Sequence, residues 1–181
     1  MKKLFFIILL TLFVIPGYAR AENSTLIMCY SKTGRNRIIV QELKSLIPSA
    51  TLIEIKADVS ILKAIFWHQL FNRNAKIEPI DVDLTQYDRI IICSPIWMQK
   101  ISSPVRTVIN TLPFQGKQLQ LFVTYAGYFG KWGQNGVKRY ISSKGINLIK
   151  FNTIKIGGKT EEEIREQVRK QFQDQSDAIN P

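Results

Sequence analysis

The chain has 181 residues, of which 45% are hydrophobic and 22% charged, and a formal net charge of +11 at pH 7. That length suits one ordinary domain with a two-layer or three-layer core and excludes two large ones. A single histidine and two cysteines without metal-ligand spacing argue against a structural zinc centre, and the dispersed basic residues form no nucleic-acid module.

Lys2 and Lys3 precede an apolar stretch over residues 4–15, which breaks at Pro16 and Gly17 before the small-residue pattern Ala19, Arg20, Ala21. This order predicts a secretory signal peptide, residues 1–21, removed after Ala21. The apolar run is shorter than the roughly 20 residues a membrane span needs, and no later run is long enough, so the mature chain is expected to carry no transmembrane span. Residues 22–181 then form the folded domain, in a periplasm or outside the cell. Loss of Lys2, Lys3 and Arg20 lowers the formal charge from +11 to +8. A field of that sign favours an acidic partner or an anionic surface without naming it, and an ordinary solvated basic surface accounts for it as well.

Residues 26–30 are a short apolar run that ends at Ser31, Lys32, Thr33 and Gly34, which predicts a buried strand entering a tight turn. Ile39, Leu43, Leu46 and Ile47 recur at helical spacing until Pro48. Residues 51–55 read as a second strand. Residues 61–71 predict a helix with a broad apolar face, formed by Ile61, Leu62, Ile65, Phe66, Leu70 and Phe71. This helix carries Trp67 and the lone His68, both read as packing or surface residues. The connection over residues 72–86 contains Glu78, Asp81 and Asp83, which read as polar residues before a strand and not as a metal pair.

Residues 89–93 form a continuous apolar run that stops at Ser94 and Pro95, as expected of a parallel strand buried on both faces. Pro104 opens the next helix, which continues through Val105, Val108 and Ile109. Residues 119–124 give a strand and residues 125–130 its outgoing loop. Val137, Tyr140 and Ile141 supply the inward face of a helix. Residues 148–156 form the last strand, Gly157 and Gly158 break it, and Thr160 with Glu163 makes a capping box for a final helix carrying Ile164, Val168 and Phe172. Alternating strands and helices predict five parallel strands covered on both faces, an α/β three-layer sandwich. The strands of Cys29 and Cys93 would lie side by side; two buried thiols are the reading, with a disulfide open in an oxidising compartment.

The turn over Ser31, Lys32, Thr33, Gly34, Arg35 and Asn36 carries the clearest chemistry. A phosphate monoester needs converging hydrogen-bond donors. A turn entering a helix supplies backbone amides, while Ser31, Thr33 and Asn36 add side-chain donors, Lys32 and Arg35 add charge, and Gly34 permits close approach. The spacing fits neither the nucleotide P-loop nor the dinucleotide fingerprint. Taken alone, the six residues also fit a polar turn with a helix cap.

Together with the run from Tyr87 to Trp97 and the segment Gly116 to Gly127, this turn resembles the flavodoxin-like family, in three motifs in the right order along nearly the whole mature chain. The resemblance implies a sheet of order 2-1-3-4-5, noncovalently bound FMN, and electron transfer or reduction of a quinone or flavin. It implies that Ser31, Lys32, Thr33, Gly34, Arg35 and Asn36 hold the phosphate. Ser94, Pro95, Ile96, Trp97 and Met98 would flank one side of the ring, and Thr124, Tyr125, Ala126, Gly127 and Tyr128 the other. Asn36 stands where the family more often has threonine, and the aromatic third loop departs from the small residues of many relatives. Trp97, Tyr125 and Tyr128 are each open to two readings, ligand wall or ordinary packing. The functional expectation is an exported FMN-binding redox protein with a redox partner, an electron carrier or a small-substrate oxidoreductase. The alternative is a module on the same fold that binds another phosphate ligand or a protein without redox work. No catalytic side chain is required, because the cofactor carries the electrons.

Overall fold

The computed structural model describes residues 24–60 and 70–173. Five strands lie parallel, namely β1 (Thr25–Cys29), β2 (Thr51–Glu54), β3 (Arg89–Trp97), β5 (Gln118–Tyr125) and β6 (Asn147–Lys155). Their order across the sheet is β2-β1-β3-β5-β6, the expected 2-1-3-4-5 arrangement once parallel strands alone are counted. A sixth strand, β4 (Lys100–Ile101), folds back antiparallel on the end of β3. Four α-helices are described, α1 (Arg35–Leu46), α2 (Ser103–Thr111), α3 (Lys131–Ser142) and α4 (Glu161–Gln173), with a short 3-10 helix at Leu84–Gln86.

The central strands read as continuous apolar runs because both of their faces are covered. Leu26, Met28, Ile90, Ile92, Leu121 and Val123 point into the core shared with Val105, Val108, Val137 and Ile141 of α2 and α3. Their neighbours Ile27, Cys29, Ile91, Cys93 and Phe122 point the other way, against Ile39 and Leu43 of α1 and Ile164 and Val168 of α4. Full burial of each large aliphatic side chain contributes about 1.5–3 kcal/mol, which makes period-two alternation on doubly covered strands the main source of stability. On the second face Glu42, buried in α1, accepts from Arg169 Nε at 2.7 Å and from Arg165 at 3.4 Å, tying α1 to α4.

Cys29 and Cys93 are register partners on adjacent strands, and both are free buried thiols. A hydrogen bond with Cys29 and burial push the Cys93 thiol well above its usual range. The capping box forms as expected: Thr160 N donates to Glu163 Oε2 at 2.8 Å and Glu163 N donates to Thr160 Oγ1 at 3.3 Å. Lys159, at 2.6 Å, and the bonds that Thr160 N and Thr160 Oγ1 donate to the carboxylate lower the Glu163 pKa to about 2.

Two expectations change. The third strand does not stop at Ser94 and Pro95. It runs on to Trp97, because the backbone beyond Pro95 finds new partners in β4, with Ile96 opposite Ile101 and Trp97 opposite Lys100. The helix expected over residues 61–71 lies outside the described residues, apart from its end. There Leu70 and Phe71 sit in a turn and are exposed, not facing a core. Trp67 and His68 also lie outside the described residues.

Candidate functional site

Parallel register brings the C-terminal ends of β1, β3 and β5 to one edge of the sheet. Cys29 lies opposite Cys93 and Pro95 opposite Thr124, so the segments that follow these strands leave side by side. Open α/β sheets bind ligands at this edge, where the strand order reverses, here between β1 and β3.

The first segment enters α1 through Gly34, whose φ of +82° is left-handed backbone that other residues adopt at a cost. A Cβ at Gly34 would meet no atom within 4 Å, so the space above it is open. Lys32 and Thr33 are exposed, and Ser31 is half-buried, its Oγ accepting from Asn36 N at 3.2 Å. Asn36 and Arg35 were expected to face a phosphate, and their side chains are engaged elsewhere. Asn36 is buried; its Nδ2 donates to Tyr30 O at 2.8 Å and its Oδ1 accepts from Thr124 Oγ1 at 2.7 Å. Both ends of the carboxamide are therefore occupied within the protein, and the residue latches the first loop to the end of β5 across β3. Arg35 reaches sideways, donating to Ile156 O at 3.0 Å and to Lys159 O at 3.2 Å, so its charge sits against the β6–α4 connection.

The second segment is the β3–β4 hairpin. Ser94 is fully buried at its base, its Oγ 3.1 Å from Ser102 Oγ and donating to Pro95 O at 3.0 Å, so it closes the hairpin instead of facing a ligand. At the tip Met98 and Gln99 both have positive φ, 48° and 63°. Two consecutive left-handed residues make a tight hairpin turn that glycine or asparagine would form without strain, and holding Met and Gln there costs about 1–2 kcal/mol per residue. Gln99 offsets part of that cost by bridging to the third segment: its Nε2 donates to Tyr128 O at 2.6 Å and its Oε1 accepts from Gly130 N at 3.2 Å. A side chain at Gly133 would collide with Gln99, a Cβ there lying 2.5 Å from Oε1. The half-buried indole of Trp97 stands edge-on to Tyr30, with ring centroids 5.7 Å apart and planes at 86°, and also packs on Val59 and Ala75. Packing and a ligand wall are thus compatible roles for this ring. Burial raises the Tyr30 phenol above its ordinary range.

In the third segment Thr124 is buried and spent on Asn36, while Ala126, Gly127 and Tyr128 are exposed. Tyr125 is half-buried and packs on Phe129, centroids 5.8 Å apart. Tyr128 is 81% exposed, its hydroxyl end folded over Gly130. Gly157 presses on this loop from the neighbouring connection: a Cβ there would lie 1.9 Å from Ala126 O, so only glycine fits.

Ser31 to Gly34, Pro95 to Met98 and Tyr125 to Tyr128 therefore share one edge with solvent access, and Asn36, Ser94, Thr124 and Gln99 form the frame that holds them. A cleft of about 660 Å³ also opens beside Gly34, between α1 and the start of α4, lined by Arg35, Arg37, Gln41, Lys159, Thr160 and Glu161 among others and by no residue of the hairpin or the third loop.

No protein-family model and no curated protein sequence matches the chain. Solved structures do. A flavoprotein from Lactobacillus acidophilus NCFM, crystallised in complex with FMN, superposes with a TM-score of 0.63 at 21% identity, over 83% of this chain and 99% of that one. The fold is flavodoxin-like. The two-electron reduced flavodoxin of Megasphaera elsdenii aligns with a TM-score of 0.51 at 16% identity, over 81% and 98% of the two chains. A flavodoxin, WrbA-like protein from Agrobacterium tumefaciens gives 0.52 at 14% over 81% and 92%.

Within this flavodoxin-like frame, sequence reasoning missed Gln99. Its partners are backbone atoms 29 and 31 residues further on, and no local pattern marks a side chain whose bonds run to a distant loop. It also did not reveal the bonds of Asn36 to Tyr30 O and Thr124 Oγ1, because a polar residue at a helix start looks alike whether it faces a ligand or a neighbouring strand.

Proposed function

We propose that the protein binds FMN noncovalently at the β1, β3 and β5 loop edge and works as an exported redox protein. The observation that supports this reading best is the Asn36–Thr124 bond, which fastens a glycine-bearing turn at a helix start to the loop bordering the proposed ring site. The residues present fit the cofactor. Helix α1 opens at Arg35, where the positive end of its dipole favours an anion; Asn36 N and Arg37 N already donate to Ser31 Oγ and Gly34 O, and Gly34 leaves open space beside them. Ser31, Lys32 and Thr33 add a hydroxyl, an ammonium and a second hydroxyl around the phosphate position.

Pro95, Ile96, Trp97 and Met98 would shield one side of the ring, and Tyr125, Ala126, Gly127 and Tyr128 would border it on the other. When bound, FMN supplies the electron-transfer chemistry. The chain's own work is to orient the ring, exclude water with Trp97 and keep the loops fixed through Asn36 and Gln99, so that little is spent on ordering them when the ligand arrives. The net positive charge suits an acidic redox partner, and either an electron carrier or a small-substrate oxidoreductase fits. Export rests on Lys2, Lys3, the apolar run and the Ala19, Arg20, Ala21 pattern. N-terminal sequencing of the protein from its producing cell should start at Glu22; a start at Met1 contradicts export with cleavage.

Native purification followed by visible absorption and a fluorescence titration with FMN tests the cofactor. A yellow protein, or a colourless one that saturates with one FMN, is expected; absence of saturable uptake rejects it. A second reading draws on the cleft between α1 and α4, which holds Arg35, Arg37 and Lys159 beside Glu161 and could take another phosphate-bearing ligand without redox work. Calorimetry against other phosphate monoesters separates the two: preference for one of them over FMN reverses the ranking.

A further inference from the structure

Every Asp and Glu of the chain lies outside residues 89–160, a stretch that carries eleven Lys and Arg. That stretch supplies β3, β4, α2, β5, α3 and β6. The segregation survives folding, because α3 packs over β6 and beside β4, whereas the acid-rich α4 packs with α1 on the other face of the sheet.

Within α3, Gly133, Val137 and Ile141 are buried at helical spacing. Lys131, Trp132, Asn135, Lys138 and Arg139 fall on the opposite side of the helix and are exposed. Lys131 and Arg139 make no ion pair among the described residues, and Lys138 lays its ammonium over the Phe151 ring, 5.4 Å from the centroid. Lys131 stands in the first turn, where no acid accompanies it and the helix dipole opposes a cation. Helix stability would favour Asp or Glu there, so the stability of α3 does not account for this choice. Apolar side chains gather at the same end. Trp132 is 72% exposed and Tyr128 81%, and Gln99 ties the hairpin tip that carries the exposed Met98 to this end through Tyr128 O and Gly130 N.

We propose that the outward face of α3, with the loop tips at Met98 and Tyr128, docks on an anionic phospholipid bilayer. Lys131, Lys138 and Arg139 would meet the lipid phosphates, each cation strengthening attachment by about fivefold. Trp132 and Tyr128 would enter the headgroup layer, where amphipathic rings are favoured. An acidic protein fits less well. Partners of fixed shape set their register with charges of both signs, and this face has one sign only, whereas a fluid anionic surface needs no register. The proposal stands whether or not FMN binds at the strand-end loops.

The test is co-sedimentation of the purified protein with vesicles of equal parts phosphatidylglycerol and phosphatidylcholine, and with vesicles of phosphatidylcholine alone, with tryptophan emission recorded alongside. Saturable binding to the anionic vesicles is expected, about tenfold or more tighter than to the neutral ones. It should weaken at least as much when salt rises from about 0.1 to about 1 M and the Debye length shrinks from roughly 10 to 3 Å. Emission should shift to the blue in the parent and not in Trp132→Phe. Lys131→Gln combined with Arg139→Gln should weaken binding about 25-fold, with FMN uptake and the melting temperature unchanged. Lys76→Gln combined with Lys170→Gln removes the same charge elsewhere and should weaken it less than about threefold. Equal binding to the two vesicles, no binding to either, equal losses in the two double variants, or a blue shift that survives Trp132→Phe would each overturn the proposal. Tighter binding to soluble polyglutamate than to the vesicles would assign the face to an acidic protein and overturn it as well, and the parent measurements decide the matter even if a variant fails to fold.

Discussion

Asn36 and Asn72 each gather polar groups near the same end of the sheet, on opposite faces, and the chain treats them differently. Around Asn36 everything is neutral, buried and matched: an amide donates to a carbonyl, a hydroxyl donates to the amide oxygen, and the geometry is closed. Around Asn72 two cations share one neutral oxygen at the mouth of a groove. A matched neutral network fixes loops and asks for nothing more, whereas gathered charge of one sign costs energy unless something answers it. The first arrangement closes on itself, whereas the second gathers two cations on one acceptor.

The largest effect that breaks this contrast is expected at Asn36. Asn36→Leu would leave Tyr30 O and Thr124 Oγ1 without their partners in buried surroundings, at about 1–3 kcal/mol for each group, and urea denaturation should show a loss of about 3 kcal/mol together with weaker FMN binding. Thr124→Val removes one bond and orphans one end of the Asn36 amide, with about 1 kcal/mol lost in the same assay.

Lys100→Gln sharpens the contrast from the other side. It relieves a like-charge contact at a partly exposed group, so stability should stay within about 0.5 kcal/mol of the parent. The smallest effect concerns pH. Burial raises the Tyr140 hydroxyl beside the groove to about 12, against the opposing influence of Arg106 and the Asn110 hydrogen bond. Its folded value lies above its unfolded value of 10.0, so the associated stability is full below pH 10 and is lost as pH rises through about 12. Ultraviolet titration should find Tyr140 ionising near pH 12, late together with the buried Tyr30, and Asn110→Ala should delay the Tyr140 step further.

The flavodoxin-like architecture was legible because doubly covered parallel strands leave continuous apolar runs, and because Gly34, Pro104 and the Thr160–Glu163 pair mark helix boundaries by local chemistry. The candidate site was legible only as three loops in order. What escaped was tertiary: the hairpin beyond Pro95 exists because β4 pairs with β3, Gln99 acts on backbone 29 residues away, and Asn36 and Arg35 find partners across the sheet. The Asn72 cluster was equally hidden, since Asn72, Lys100 and Arg106 are separated by 28 and 34 residues and meet only in the fold.

The central claim is that the turn holding Gly34 grips a phosphate whose attached ring reaches the hairpin and the third loop. Calorimetric titration with FMN and, in parallel, with riboflavin tests it most directly, because the two ligands share the ring and differ in the ester. One-to-one FMN binding at least a hundredfold tighter than riboflavin, equivalent to about 2.7 kcal/mol, is the expected result. Equal affinities, or no binding of either ligand, would contradict the account.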